Sequence, residues 1–119
     1  MNICQETYGL LIKSVEGLEK YSELVTLSLE DGRRIRFYHE QDCCESVLLE
    51  DFEGEETDLV GGRLFCIEEV SDADGPPPEH PDSFTWTFYK IVTSKGYVWL
   101  RWLGESNGYY SEEITVSID

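Results

Sequence analysis

Short runs of aromatic, β-branched and other apolar residues, some alternating with polar ones at a period of two, recur along this chain between turn signals and predict strands rather than helices. The pattern is strongest from Ser83 to Leu103, SFTWTFYKIVTSKGYVWLRWL. Two runs of aromatic, β-branched and threonine residues flank Thr93-Ser94-Lys95-Gly96, a turn whose glycine accepts a positive φ. With Ser94 and Lys95 as the loop, Tyr89, Ile91, Val98, Leu100 and Trp102 share one face of this hairpin. Phe84, Trp86, Phe88, Val92, Tyr97, Trp99 and Leu103 share the other, with Lys90 and Arg101 among them. Both faces are apolar, so both are expected to be covered. All three tryptophans lie here, and an enclosed ring buries about 150–250 Å². The hairpin is therefore expected to be central to the core.

The rest of the chain follows the same period. Thr7 to Val15 reads as a first strand with a turn at Glu16-Gly17. Glu23 to Leu29 and Arg34 to His39 form a second hairpin around Glu30-Asp31-Gly32, since Asp-Gly suits a primed turn. Ile35 and Phe37 fall on one face of its return strand, and Arg34, Arg36 and Tyr38 on the other. Ser46 to Phe52 predicts a strand that breaks at Gly54. Glu55 to Val60 fits one helical turn ended by Gly61-Gly62, with acids at its start where the helix dipole favours them. Arg63 to Val70 predicts a strand with Leu64 and Cys66 opposite Phe65 and Ile67. Ser71 to Asp82 holds all four prolines, cannot pair in a ladder and reads as an exposed loop. Gly104 to Gly108 is a further turn, with an Asn-Gly signature, and Tyr109 to Ile118 the last strand.

Seven or eight short strands and at most one short helix predict a mainly β fold, an antiparallel sandwich or partly open barrel. At 119 residues the chain is expected to be one domain. No stretch has the apolar length of a membrane span and no secretory leader is recognisable, which predicts a soluble, cytoplasmic protein. Cys4, Cys43, Cys44 and Cys66 show no framework spacing, so reduced thiols are expected, and adjacent Cys43 and Cys44 are not expected to pair.

Charge changes the picture more than composition does. With 25 acids against nine bases the net charge is −16, which repels nucleic-acid backbones and anionic membranes. Glu40 to Asp58 holds nine of these acids and no base: Glu40, Asp42, Glu45, Glu50, Asp51, Glu53, Glu55, Glu56 and Asp58. A solvated face is the plain reading. Its functional use is to dock a basic surface, where complementary charge speeds encounter and excludes wrong partners.

Candidates for other chemistry are weaker. His39-Glu40-Gln41-Asp42-Cys43-Cys44-Glu45 places a thiol near an imidazole and a carboxylate, the parts of a nucleophilic site. Nearby carboxylates raise a thiol pKa, however, and a strand would point the two cysteines to opposite faces. No Cys-x-x-Cys or His-x-x-x-His pair suggests zinc, and joining His39, Cys43 or Cys44, Cys66 and His80 takes a coincidence of folding. Asp72-Ala73-Asp74-Gly75 matches only a fragment of a calcium loop. No glycine pattern cradles a phosphate, and aromatic stacking on bases lacks the basic groove it needs. No metal, cofactor or direct nucleic-acid contact is expected, and the sequence sets no oligomeric state.

Four blocks, YHEQDCCESV (Tyr38 to Val47), DLVGG (Asp58 to Gly62), DSFTWTFYK (Asp82 to Lys90) and RWLGESNGYYSE (Arg101 to Glu112), are similar to those of an uncharacterised family of small bacteriophage and prophage proteins. The resemblance runs from about Val15 to the C-terminus. It implies a mobile-element origin and no activity or site. Together with the charge it leads to an expected function: a non-enzymatic acidic protein that binds, and inhibits, a basic host protein that handles nucleic acid, as in counter-defence. A small enzyme built on His39 to Glu45, or a phage assembly component, are the alternatives.

Overall fold

The structure, a computed structural model, describes residues 3–71 and 83–119. It is a sandwich of two four-stranded antiparallel sheets. The first sheet has the order β1-β2-β3-β8, from Ile12–Glu16 (β1), Leu24–Leu29 (β2), Arg34–Tyr38 (β3) and Thr115–Ile118 (β8). The second has the order β4-β7-β6-β5, from Ser46–Glu53 (β4), Leu64–Ser71 (β5), Ser83–Thr93 (β6) and Gly96–Ser106 (β7). One short helix, Ile3–Thr7, precedes β1, and a single 3-10 turn, Glu56–Asp58, follows β4.

The aromatic hairpin is the central pair of its sheet. Thr93 pairs with Gly96 across the Ser94-Lys95 loop, and that register carries Tyr89, Ile91, Val98, Leu100 and Trp102 inward together. They meet Val25, Leu27, Ile35 and Phe37 of the first sheet. Phe37 and Tyr89 make the contact across the layers edge to face, with ring centroids 5.2 Å apart. Trp102 is fully enclosed in this layer.

Two corners join the sheets. Backbone amides of Ile12 and Gly61 exchange hydrogen bonds with the carbonyls of Gly62 and Ile12, and Leu11 bridges Arg63. At the other corner Ser22 bridges Leu49. Gly54 turns the chain out of β4 at φ 108°, where a Cβ would sit 2.8 Å from Val98. The sequence needs glycine there for both reasons.

Four expectations change. Residues 7–11 are not a strand: the chain leaves the short helix and turns through Gly9, and only Ile12–Glu16 pairs along β2. On β5 a bulge between Leu64 and Cys66 sets Phe65 out of register, so Leu64 and Ile67 pack on the same inward face rather than on opposite faces. β7 runs through Gly104 to Ser106, and the turn comes after it. Between them residues 109–114 cross the open end of the sandwich as irregular chain, so the last strand is only Thr115–Ile118. The proline loop after Ser71 lies outside the described residues, as does His80.

Candidate functional site

His39 to Glu45 is a loop wound around one carboxylate. Glu45 is buried, and its oxygens accept from the backbone N–H groups of Asp42 (2.9 Å) and Cys43 (2.8 Å), from the Gln41 amide and from His39 Nε2 (2.7 Å). His39 Nδ1 faces the Glu113 carbonyl at 2.6 Å. Both partners of the ring are acceptors, so each ring nitrogen is engaged. The His39 hydrogen bond holds the Glu45 carboxyl down from 4.5 to about 2, outweighing burial, with the Cys43 and Asp42 amides adding to it.

The cysteines stand outside this arrangement. Cys43 and Cys44 are exposed and joined by a disulfide, contrary to the expected reduced pair. The reason is local: the residues are loop, not strand, so the alternation that would separate the sulfurs does not apply. Cys66 is a free, half-buried thiol on β5. Neither ring nitrogen of His39 is left to activate a thiol, because both are engaged. No group of three metal-ligating side chains converges among the described residues.

The acids of residues 40–58 do not form one face. Glu40 and Asp42 lie on the loop before β4, while Glu50, Asp51, Glu53, Glu55 and Glu56 lie at its far end. Glu45 is enclosed and is not a surface charge. Asp58 accepts from the Glu55 backbone N–H at 2.9 Å, and Glu55 completes the reciprocal cap, so these two shape the 3-10 turn. What remains open is Glu50 to Glu56, where, among the described residues, Asp51 alone meets a cation, Arg101 at 3.6 Å.

Beside that run lies the outward face of the second sheet, expected to be covered; Trp86 and Leu103 are buried at one end of it, and the rest is only partly enclosed. Its cross-strand rows are regular. Glu53, Trp99, Lys90 and Glu68 stand in one row, and Asp51, Arg101, Phe88 and Val70 in the next. The two cations lie over rings: Lys90 Nζ is 4.9 Å from the Tyr97 centroid and 5.6 Å from that of Trp99, and the Arg101 guanidinium 5.5 Å from that of Phe88. Trp99 and Phe88 are half-buried, and Tyr97 and Val70 are exposed.

A family model described as a domain of unknown function (DUF7448) matches residues 8–116. The chain belongs to this family. No curated protein and no solved structure gives a significant match. The DUF7448 match spans every candidate above, from the His39 loop to the outward face of the second sheet. Within this DUF7448 domain a second concavity, of about 580 Å³, opens under residues 108–114. Its enclosed carboxylate, Glu112, is desolvated by burial, but hydroxyls from Ser106, Ser83 and Thr85 donate to it and leave its pKa lowered. That carboxylate is satisfied by the chain's own hydroxyls. Sequence reasoning missed the outward aromatic face as a surface, although the Lys90 and Arg101 interruptions in its pattern were the available signal.

Proposed function

We propose that this DUF7448 protein is a non-enzymatic acidic protein that binds, and by binding inhibits, a basic protein that handles nucleic acid. A phage or prophage setting, with counter-defence as the use, goes with this proposal. The observation that carries it is the open run Glu50 to Glu56: five carboxylates at the end of β4 with one ion pair between them among the described residues. Self-repulsion in such a run is relieved by an opposing cationic surface, and the field of a net −16 molecule speeds encounter with one. The His39 to Glu45 block gives the enzyme reading little support, since its imidazole and carboxylate are engaged in holding a loop.

The test is affinity capture from a bacterial lysate at low and high salt, then binding kinetics with the purified partner. Reversal of Glu50, Glu53 and Glu56 to Lys spares the cap residues Glu55 and Asp58, so folding is expected to be retained. Association should slow by about tenfold with little change in dissociation, and should weaken as salt shortens the screening length to about 8 Å. An affinity indifferent to both salt and the triple reversal would overturn the proposal.

A further inference from the structure

The outward face of the second sheet combines features that one kind of partner meets together. Trp99 offers a half-open ring. Its cross-strand neighbour Glu53 and, two strands away, Glu68 are exposed carboxylates. Among the described residues neither has an ion-pair partner, and Glu68 meets only the Cys66 thiol at 3.7 Å. The sheet's own cations cannot serve them, because Lys90 lies toward Tyr97 and Trp99, and Arg101 toward Phe88 and Asp51. A centre of half-buried rings, with Lys90 and Arg101 lying against them, is thus rimmed on both sides by carboxylates that have no ion-pair partner among the described residues.

From this we propose that the face docks an extended, arginine-bearing segment of the basic partner, with two arginines four positions apart reaching Glu53 and Glu68 across Trp99. The proposal rests on the function proposed above and adds the surface and the form of its ligand. Spacing sets the form. Glu53 and Glu68 stand on the outer strands of a four-stranded sheet, three strand spacings or about 14 Å apart. An extended segment rises about 3.3 Å per residue, so side chains at i and i+4 point the same way about 13 Å apart. Chemistry sets the residue. Arginine stacks on an aromatic ring and grips a carboxylate with two parallel N–H donors, which lysine cannot do. Proline or leucine between the arginines covers the ring, as in the recognition of extended proline-rich segments by aromatic grooves. Single-stranded nucleic acid also stacks on aromatics, but its phosphates would meet Asp51, Glu53 and Glu68. A second copy would bring the same carboxylates face to face.

The probe is a synthetic peptide with two arginines four positions apart and Pro-Leu-Pro between them, titrated into the whole protein by calorimetry. A companion peptide replaces Pro-Leu-Pro with glycines. Glu53→Lys with Glu68→Lys should weaken binding of the first peptide by about tenfold or more. Glu16→Lys with Glu23→Lys makes the same charge change at exposed positions near the first sheet and should weaken it by less than about twofold. Trp99→Leu, with its melting curve recorded to show that it folds, should weaken the first peptide and leave the glycine peptide little changed. Equal loss from both double reversals, or equal affinity for the two peptides, would overturn the docking face while leaving a general attraction for basic partners. Failure to bind either peptide overturns the docking face too. Failure to capture any basic protein removes the underlying function as well. A dimer abolished by the Glu53 and Glu68 reversals would assign the face to a second copy and overturn the proposal.

Discussion

The two faces of the aromatic hairpin are built from the same residue types and do different work. Inward, Tyr89, Ile91, Val98, Leu100 and Trp102 are sealed against the first sheet. Outward, Phe88, Trp99 and Tyr97 keep contact with solvent, and two cations lie over the rings. The inward face follows from hydrophobic transfer and close packing. The outward face is held by ring edges and cation–ring attraction, which are weaker and tolerate solvent. Aromatic content alone therefore does not say where a core is.

Tryptophan truncation puts the contrast to its strongest test. Trp102→Ala should cost about 3–5 kcal/mol, since a fully enclosed ring leaves a cavity that relaxes only in part. Trp99→Ala should cost about 1–2 kcal/mol, because its ring is only partly enclosed. Urea denaturation of both variants measures the gap, and equal losses would mean that the outward face is covered after all.

The inward face extends past the first sheet to Gly104, and a methyl group there probes that extension. A Cβ on Gly104 would lie 2.7 Å from both Cβ and the backbone oxygen of Glu112, and backbone cannot swing aside. Gly104→Ala should therefore destabilise by about 1–3 kcal/mol. A neutral melting temperature would show that residues 109–114 do not press on the sheet.

Carboxylates repeat the distinction between enclosed and open. Glu45, enclosed, is held down from 4.5 to about 2 by His39 and the loop amides. Its contribution to stability is complete above the unfolded value of 4.5 and is lost as pH falls from there toward about 2. Glu112, also lowered, adds a loss of the same sign below the usual carboxylate range. Glu45→Gln should flatten the fall in melting temperature over that acid window. Smallest of all is Lys90→Ala, expected to cost about 0.5–1 kcal/mol through its contacts with Tyr97 and Trp99. A larger loss would make Lys90 structural rather than an adornment of an open face.

Much of the fold was legible because local chemistry and tertiary context agree. Ser94-Lys95 fixed the hairpin register and both of its residue sets, and Glu30-Asp31-Gly32 closes the β2–β3 hairpin as expected, though with only Gly32 at positive φ and so not as a primed turn. The turn after Gly54 also follows its acids and glycines. The misses are of another kind. Period-two arithmetic carries no warning of an inserted residue, so Phe65 shifted the faces of β5. Tyr109 to Ile118 reads as one strand, yet only Thr115–Ile118 finds a ladder partner, in β3. The acidic run looked uniform, and only the fold shows that Glu45 turns inward while Glu53 stays out. That part of the outward aromatic face is left open among the described residues depends on which layers exist, and periodicity cannot count layers.

The pairing of β3 with β8 has a consequence in time. Ile35 aligns with Ile118 and Tyr38 with Thr115, so everything from His39 to Ile114 must be synthesised before the first sheet gains its fourth strand. The hairpins β2–β3 and β6–β7 are local and can form during elongation, whereas this closure must await the synthesis of Thr115–Ile118. Until then β3 is a free edge in the nascent chain. Arg34 and Arg36 project from that edge, and charged side chains on an unpaired strand discourage pairing with a neighbouring molecule. The same arginines then meet Asp119 beside the docked strand, at 3.7 and 3.2 Å, so what guards the waiting edge also receives the strand that ends the wait.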